Sequence, residues 1–87
     1  MYNVITDMTN KRVLILDNSR PKLEIRKESE DKHGNSFYII NPGGRKYRHG
    51  YNLIAEIQDE LRQLKCIHLR LEVERQLSKL SKASIFL

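Results

Sequence analysis

The sequence predicts an α+β fold in which an N-terminal antiparallel meander of three to five short strands precedes a long C-terminal helix. In the first half, short β-prone runs alternate with turn-forming residues, whereas residues 53–82 contain no Gly, Pro or Asn. The 87 residues suffice for one modest core and not for two. We therefore expect a single domain over residues 1–87, with the sheet over 1–51, the helix over 52–82 and an apolar tail over 83–87.

The first predicted strands form a hairpin and a third strand beside it. Residues 2–6 are β-prone, and residues 13–16 form a continuous apolar run bounded on both sides by turn formers. In residues 22–27 apolar and charged side chains alternate. This period of two is typical of a strand with one face in water.

The meander is predicted to end in an edge strand. A polar loop over residues 28–35 leads into an apolar, aromatic strand over 36–40, and Asn41-Pro42-Gly43-Gly44 has the preference of a type II turn. The chain should reverse there, so that residues 45–49 return beside the preceding strand. Alternation then puts Arg45, Tyr47 and His49 on one face, and Lys46 and Arg48 on the other.

The helical half has two apolar stripes. Gly50 should end the last strand and Asn52 should cap the helix. A straight helix of thirty residues would span about 45 Å, more than the roughly 30 Å diameter of a domain this size. Three alternatives stay open: a continuous helix, two helices with a break near residues 65–68, or a strand at 67–73, where apolar and charged residues alternate. On a continuous helix the first stripe comprises Leu53, Ile54, Ile57, Leu61, Leu64 and Leu71, and the second comprises Cys66, Leu69, Val73, Leu77 and Leu80.

The second stripe is a candidate interface. In either helical alternative it points away from the first stripe, and an unburied apolar stripe is usually covered by another chain. We therefore expect a homodimer, or a contact with another protein, through the C-terminal helix. The predicted interface residues are Leu69, Val73, Leu77 and Leu80.

The positive charge is concentrated in one short segment. The formal net charge is +5. Residues 1–40 carry seven Lys and Arg against six Asp and Glu, residues 53–87 carry six against five, and the twelve residues between them carry three cations and no acid. Such an island is typical of a localised anion-binding surface.

The basic segment is a candidate nucleic-acid site. Arginine and lysine bind phosphate oxygens, and a tyrosine ring can stack on an unpaired base. The predicted contact residues, for DNA or RNA, are Arg45, Lys46, Tyr47, Arg48 and Tyr51. Three phosphate contacts would bind weakly, so dimerisation or further cations such as Arg26, Lys27 and Lys32 would be needed.

Two structural explanations compete with this one. Cations on an edge strand discourage aggregation, and the tyrosines can be packing residues. The alternative function is a protein-binding adaptor or an inhibitor of a larger nucleoprotein complex, for example of phage or anti-CRISPR type, that uses the exposed helix stripe.

The motifs of catalysis and cofactor binding are missing from the sequence. Cys66 and His68 would point about 200° apart on a helix, so they do not suit a metal site. The segment Gly43 to Lys46 lacks the G-K-[ST] ending of a phosphate loop, and the hydroxyl residues lack a G-x-S-x-G signature. We expect a protein that is not an enzyme and that uses no metal or cofactor.

The compartment is inferred from cysteine content and hydropathy. Cys66 is the sole cysteine and is expected to be a small packing residue. The sequence has neither an apolar run of eighteen residues nor a recognisable leader. These features favour a cytoplasmic protein without a membrane partner.

Overall fold

The chain forms a five-stranded antiparallel sheet with two helices packed on one face. This arrangement is seen in a computed structural model that describes the main chain of residues 1–85 and the side chains of residues 1–81. The sheet order is the chain order, so the predicted α+β meander is confirmed. Residues 83–85 of the predicted apolar tail over 83–87 continue the second helix, and residues 86–87 lie outside the described part of the chain. The strands are β1 (Tyr2–Asp7), β2 (Arg12–Asp17), β3 (Arg20–Glu30), β4 (Ser36–Asn41) and β5 (Arg45–Arg48), and the helices are α1 (Tyr51–Gln63) and α2 (Arg70–Ile85).

The hairpin turns lie where the turn-forming residues predicted them. Asn18 and Ser19 join β2 to β3 with φ values of 50° and 70°, the left-handed pair that a tight two-residue hairpin requires. Between β4 and β5 the Gly44 N–H donates to the Ile40 carbonyl at 3.0 Å. The reversal is therefore confirmed, but the bond closes a turn of five residues, from Ile40 to Gly44, and not the predicted four-residue type II turn. The peptide bond before Pro42 is cis.

The helical half is broken between residues 63 and 67, which confirms the two-helix alternative. Lys65 has a left-handed φ of 60°. The Cys66 N–H donates to the Leu61 carbonyl at 2.8 Å, and the Lys65 N–H donates to the Arg62 carbonyl at 3.0 Å. This pair of bonds is the Schellman motif that ends a helix. A short 3₁₀ turn at Ile67–Leu69 then leads into α2, so the continuous helix and the strand at 67–73 are both wrong.

The break explains why the predicted interface is wrong. Once the chain turns at Lys65, both apolar stripes, apart from the exposed Leu71, face the same side of the sheet and contribute to one core. Val73, Leu77 and Leu80 are at most 2% exposed, and Leu69 packs against them. These side chains are therefore unavailable to a partner in this fold. The core consists of Val13, Ile15, Leu23, Ile25, Tyr38, Ile40, Leu53, Ile57, Leu61, Cys66, Val73, Leu77 and Leu80.

Helix α1 begins one residue earlier than predicted and without the predicted cap. It starts at Tyr51 after Gly50, whose φ of 143° and ψ of −157° lie in a region that is essentially restricted to glycine. Asn52 lies inside the first turn, and no side chain caps the helix. Across the part of the chain described, no helix has both the length and the apolar character needed to cross a membrane.

Candidate nucleic-acid interface

The sheet has one face covered by the helices and one that we call the open face. Residues on adjacent strands pair so that alternate side chains lie on each face. The buried residues of all strands except Leu14 point towards the helices, and within the described residues no helix covers the opposite side. The open face carries Ile5, Asp7, Arg12, Leu14, Glu24, Arg26, Phe37, Ile39, Asn41, Lys46 and Arg48.

Strand β5 divides the predicted binding residues between the two faces. Lys46 and Arg48 are exposed on the open face, whereas Arg45 and Tyr47 lie on the helix side, as the predicted alternation required. Tyr51 is 85% exposed at the start of α1, away from the sheet. The structure therefore brings together only two of the five predicted contact residues.

Tyr47 is a packing residue rather than an exposed ring. It lies partly buried against the core, with the Arg45 guanidinium 5.8 Å from its ring centre. Burial raises the pKa of its hydroxyl, the Arg45 guanidinium lowers it, and the Glu56 and Glu60 carboxylates raise it again. By distance and angle the hydroxyl has no hydrogen-bond partner among the described residues. We therefore remove Tyr47 from the candidate stacking residues.

One row of side chains crosses all five strands of the open face. Asp7, Arg12, Arg26, Ile39 and Lys46 are successive cross-strand neighbours. This row was not visible from the basic segment alone, because it depends on the register of four strand pairs.

Arg12 is held by acids and contributes little free charge. Its guanidinium lies 3.0 Å from the Asp7 carboxylate and 2.9 Å from that of Glu24. Hydrogen bonds to Glu24 and then to Asp7 raise the pKa of Arg12 above its ordinary value. Its Nε and Nη1 atoms already donate to carboxylates, so a phosphate would have to compete with two acids to bind there.

The cations nearer β5 are held more loosely. The Arg26 guanidinium is 4.0 Å from Glu24, and the Lys46 ammonium is 3.8 Å from Glu28. Exposed pairs at such distances contribute about 0–1 kcal/mol. Lys46 also lies over the Phe37 ring, 5.2 Å from its centre. A phosphate oxygen can compete for both cations at small cost.

Arg48 is positioned by the loop between β3 and β4. Its guanidinium donates to the Asn35 side-chain oxygen at 2.9 Å. Asn35 is in turn fixed by Asp31, which accepts the Asn35 side-chain N–H at 3.0 Å and its backbone N–H at 2.9 Å. These two bonds, side chain first, are the main reason that the pKa of Asp31 lies below its ordinary value. A neutral amide holds Arg48 in place without neutralising it.

The sequence analysis did not predict that Phe37 and Ile39 lie beside the cations. The signal that finds them is the alternation in β4 combined with the turn at residues 41–44, which pairs Phe37 with Arg48 and Ile39 with Lys46. Of the additional cations expected, Arg26 lies on the open face. Lys27 points the other way, with its ammonium buried and 2.7 Å from Glu30.

The helix side has two shallow depressions that meet at His49. One is lined by Glu30, Gly34, Asn35, Ser36, His49 and Ser81, and the other by His49, Ile54, Glu74, Leu77 and Ser78. The described residues contain no cluster of three or more potential metal-ligating side chains. Cys66 is fully buried in the core, where burial raises the pKa of its thiol. The unreactive packing role predicted for it agrees with this position.

Comparison of the chain with protein-family models, with curated proteins and with solved structures finds no significant match. A function must therefore be argued from the chemistry of the open face.

Proposed function

We propose that the protein binds nucleic acid through the β3–β5 part of the open face. Lys46 and Arg48 are the principal phosphate contacts and Arg26 is a third. The observation that carries the proposal is the strand register, which groups these three cations around Phe37 and Ile39 on the one sheet face that the described helices leave uncovered.

The chemistry suits a single strand better than a duplex. A flat sheet face presents an aromatic ring on which an unpaired base can stack, and such a stack contributes about 1–3 kcal/mol. Phe37 supplies the ring, and Ile39 supplies an apolar surface beside it. The cations on both sides of β4 then meet the phosphates. The bases of a duplex are stacked on each other and cannot use this ring.

The decisive experiment compares two double variants that lose the same charge. In Lys46→Ala/Arg48→Ala both losses are on the open face. In Arg45→Ala/Arg62→Ala one loss is on the helix side of β5 and the other is on α1. Binding of fluorescent single-stranded DNA and RNA is measured by anisotropy over a range of salt concentrations. The logarithm of the binding constant falls linearly with the logarithm of the salt concentration. Loss of two phosphate contacts should make this negative slope shallower by about 1.4, at about 0.7 per contact.

The control variant should keep the wild-type slope. Equal losses in the two variants would mean that binding follows net charge and not the open face. Failure of the wild-type protein to bind either oligonucleotide at low salt would refute the proposal outright. Phe37→Leu should weaken binding by about fivefold or more without changing the slope, because stacking releases no counterions.

A further inference from the structure

The two edges of the sheet are protected very differently. β5 has three cations in its four residues, a common device against pairing with another sheet. β1, the sequence Y-N-V-I-T-D, has no Lys, Arg or Pro, and it is the longer edge. Among the described residues β1 pairs with β2 alone, so within this part of the chain no strand covers its outer side.

Exposed apolar side chains lie along the same edge. Ile5 is 43% exposed on the open face, and Met8, in the turn after β1, is 47% exposed. Helix α2 lies over β1 at Thr6, whose hydroxyl bonds to Gln76, and then crosses the sheet towards β4, where Ser81 lies 3.4 Å from the Tyr38 hydroxyl. As far as the chain is described, through residue 85 of its backbone, the helix covers a face of β1 and leaves its edge uncovered.

The helix side of this edge carries charges of both signs. Glu72 accepts from Gln76 at 2.7 Å and from Arg75 at 2.6 Å. Because Gln76 contacts Thr6, the Glu72–Arg75 pair lies beside β1. A two-fold axis at β1 would bring a second copy of this pair to the same interface, so that each copy offers charges of both signs. Such self-complementarity is a requirement of a symmetric dimer interface.

We propose that β1 pairs antiparallel with β1 of a second copy, which joins the two sheets into one of ten strands. The two-fold axis is normal to the sheet, so both copies keep their helices on the same side and residues opposite each other share a face. The register centred on Ile5 places the two Ile5 side chains together. It also puts Asp7 opposite the partner's Asn3, an amide that can donate to the carboxylate.

The other edge pairings are disfavoured. Pairing β5 with β5 would bring six cations together. Pairing β1 with β5 would match charges of opposite sign, but it is a head-to-tail contact that does not close and would lengthen into filaments. A closed dimer through β1 pairs the backbone groups of the uncovered edge and leaves the two cationic β5 strands at the ends of the joined sheet.

This dimer also completes the binding surface, a consequence that rests on the proposed function. Both open faces would be continuous, and the cations near β5 would appear at both ends of a sheet about 43 Å wide, at about 4.8 Å per strand spacing. A longer single strand could then contact both sets. Oligonucleotides too short to span the two sets should bind more weakly.

The test is the mass of the chain in solution, measured by light scattering without nucleic acid. The wild type should show twice 10.3 kDa. Ile5→Lys should give 10.3 kDa, because two ammonium groups would face each other at the axis. The control Leu71→Lys, at a 67% exposed position on α2, should stay dimeric. A monomeric wild type, a species larger than a dimer, or an unaffected Ile5→Lys variant would overturn the proposal.

Disulfide cross-linking gives a second test that stays informative if the Ile5→Lys variant fails to fold. Opposed residues of an antiparallel pair have Cα atoms about 4.5–5.5 Å apart, within disulfide range. Mild oxidation should cross-link Ile5→Cys as a dimer and leave Leu71→Cys monomeric under denaturing electrophoresis. Equal cross-linking of both would overturn the proposal. A dimer that binds no oligonucleotide would refute only the proposed function, and a monomer that binds would refute only the dimer.

Discussion

Replacing Leu77 by alanine tests whether α2 shares the core of the sheet. Leu77 is 2% exposed, and burial of this kind makes Leu→Ala cost about 2–5 kcal/mol through lost transfer free energy and the cavity left behind. The total free energy of unfolding of a chain of this length is about 4–13 kcal/mol. The substitution should therefore remove a large part of it, and Leu77→Asp should prevent folding altogether.

The assay is urea denaturation followed by circular dichroism. With an m-value of about 1–2 kcal/mol/M, a loss of about 3 kcal/mol lowers the urea midpoint by about 1.5–3 M. Leu71→Ala is the matched control, because the same residue type on the same helix is 67% exposed. It should change the free energy of unfolding by less than about 0.5 kcal/mol.

Two results would refute this reasoning. If Leu77→Ala were as mild as Leu71→Ala, α2 could not be packed as described. If Leu77→Asp kept a folded sheet and merely lost a partner, the exposed stripe expected from the sequence would be right and the shared core wrong.

Five other substitutions test local features. Gly50→Ala should lower the free energy of unfolding by about 1–3 kcal/mol, because φ of 143° suits only glycine. Asn52→Ala should change this free energy by less than about 0.5 kcal/mol, because the Asn52 side chain does not cap the helix. Equal effects of the two substitutions would contradict this. Tyr2→Phe removes the 2.9 Å hydrogen bond from its hydroxyl to the Leu64 carbonyl and should lower the free energy of unfolding by about 0.5–1.5 kcal/mol. Tyr47→Phe should leave that free energy unchanged or raise it in the same urea assay. A larger loss of stability for Tyr47→Phe than for Tyr2→Phe would refute the description of the Tyr47 hydroxyl. Folding lowers the pKa of Asp31, so the ionised carboxylate contributes fully to stability above the pKa of the unfolded chain, and this contribution is lost as the pH falls through the lower pKa of the folded protein. Asp31→Asn should therefore make stability depend less on pH on the acid side. An unchanged dependence would contradict this role of Asp31.

The meander was predictable because its signals are local. Alternation in β3 and the turn formers around residues 18–19 and 41–44 depend on near neighbours alone, and all five strands form near the predicted positions. β3 nevertheless continues to Glu30, into the loop that was predicted over 28–35. The faces of Lys46 and Arg48 followed from the same period of two.

The helix break was harder to predict because its usual signal is missing. A Schellman motif normally has glycine in the left-handed position, and here Lys65 occupies it. Without the break, the second stripe could only be interpreted as an outward surface. That single residue conformation converts an expected interface into a core.

The open face was only partly predictable because its composition depends on the registers of four strand pairs. The basic segment drew attention to residues adjacent in sequence, whereas the open face joins Arg26, Phe37 and Lys46 from three strands. Tyr47 was misassigned because composition alone does not distinguish a ring that stacks from a ring that packs.

The contacts between β1 and the helical half determine when the chain can finish folding. Tyr2 bonds to a carbonyl 62 residues away and Thr6 to a side chain 70 residues away. During synthesis the meander leaves the ribosome before the helices, and its apolar face stays partly uncovered until residues 73–80 follow. Contacts of such long range slow folding and leave intermediates open to aggregation. The sheet can therefore bury its apolar face completely only after α2 has been synthesised.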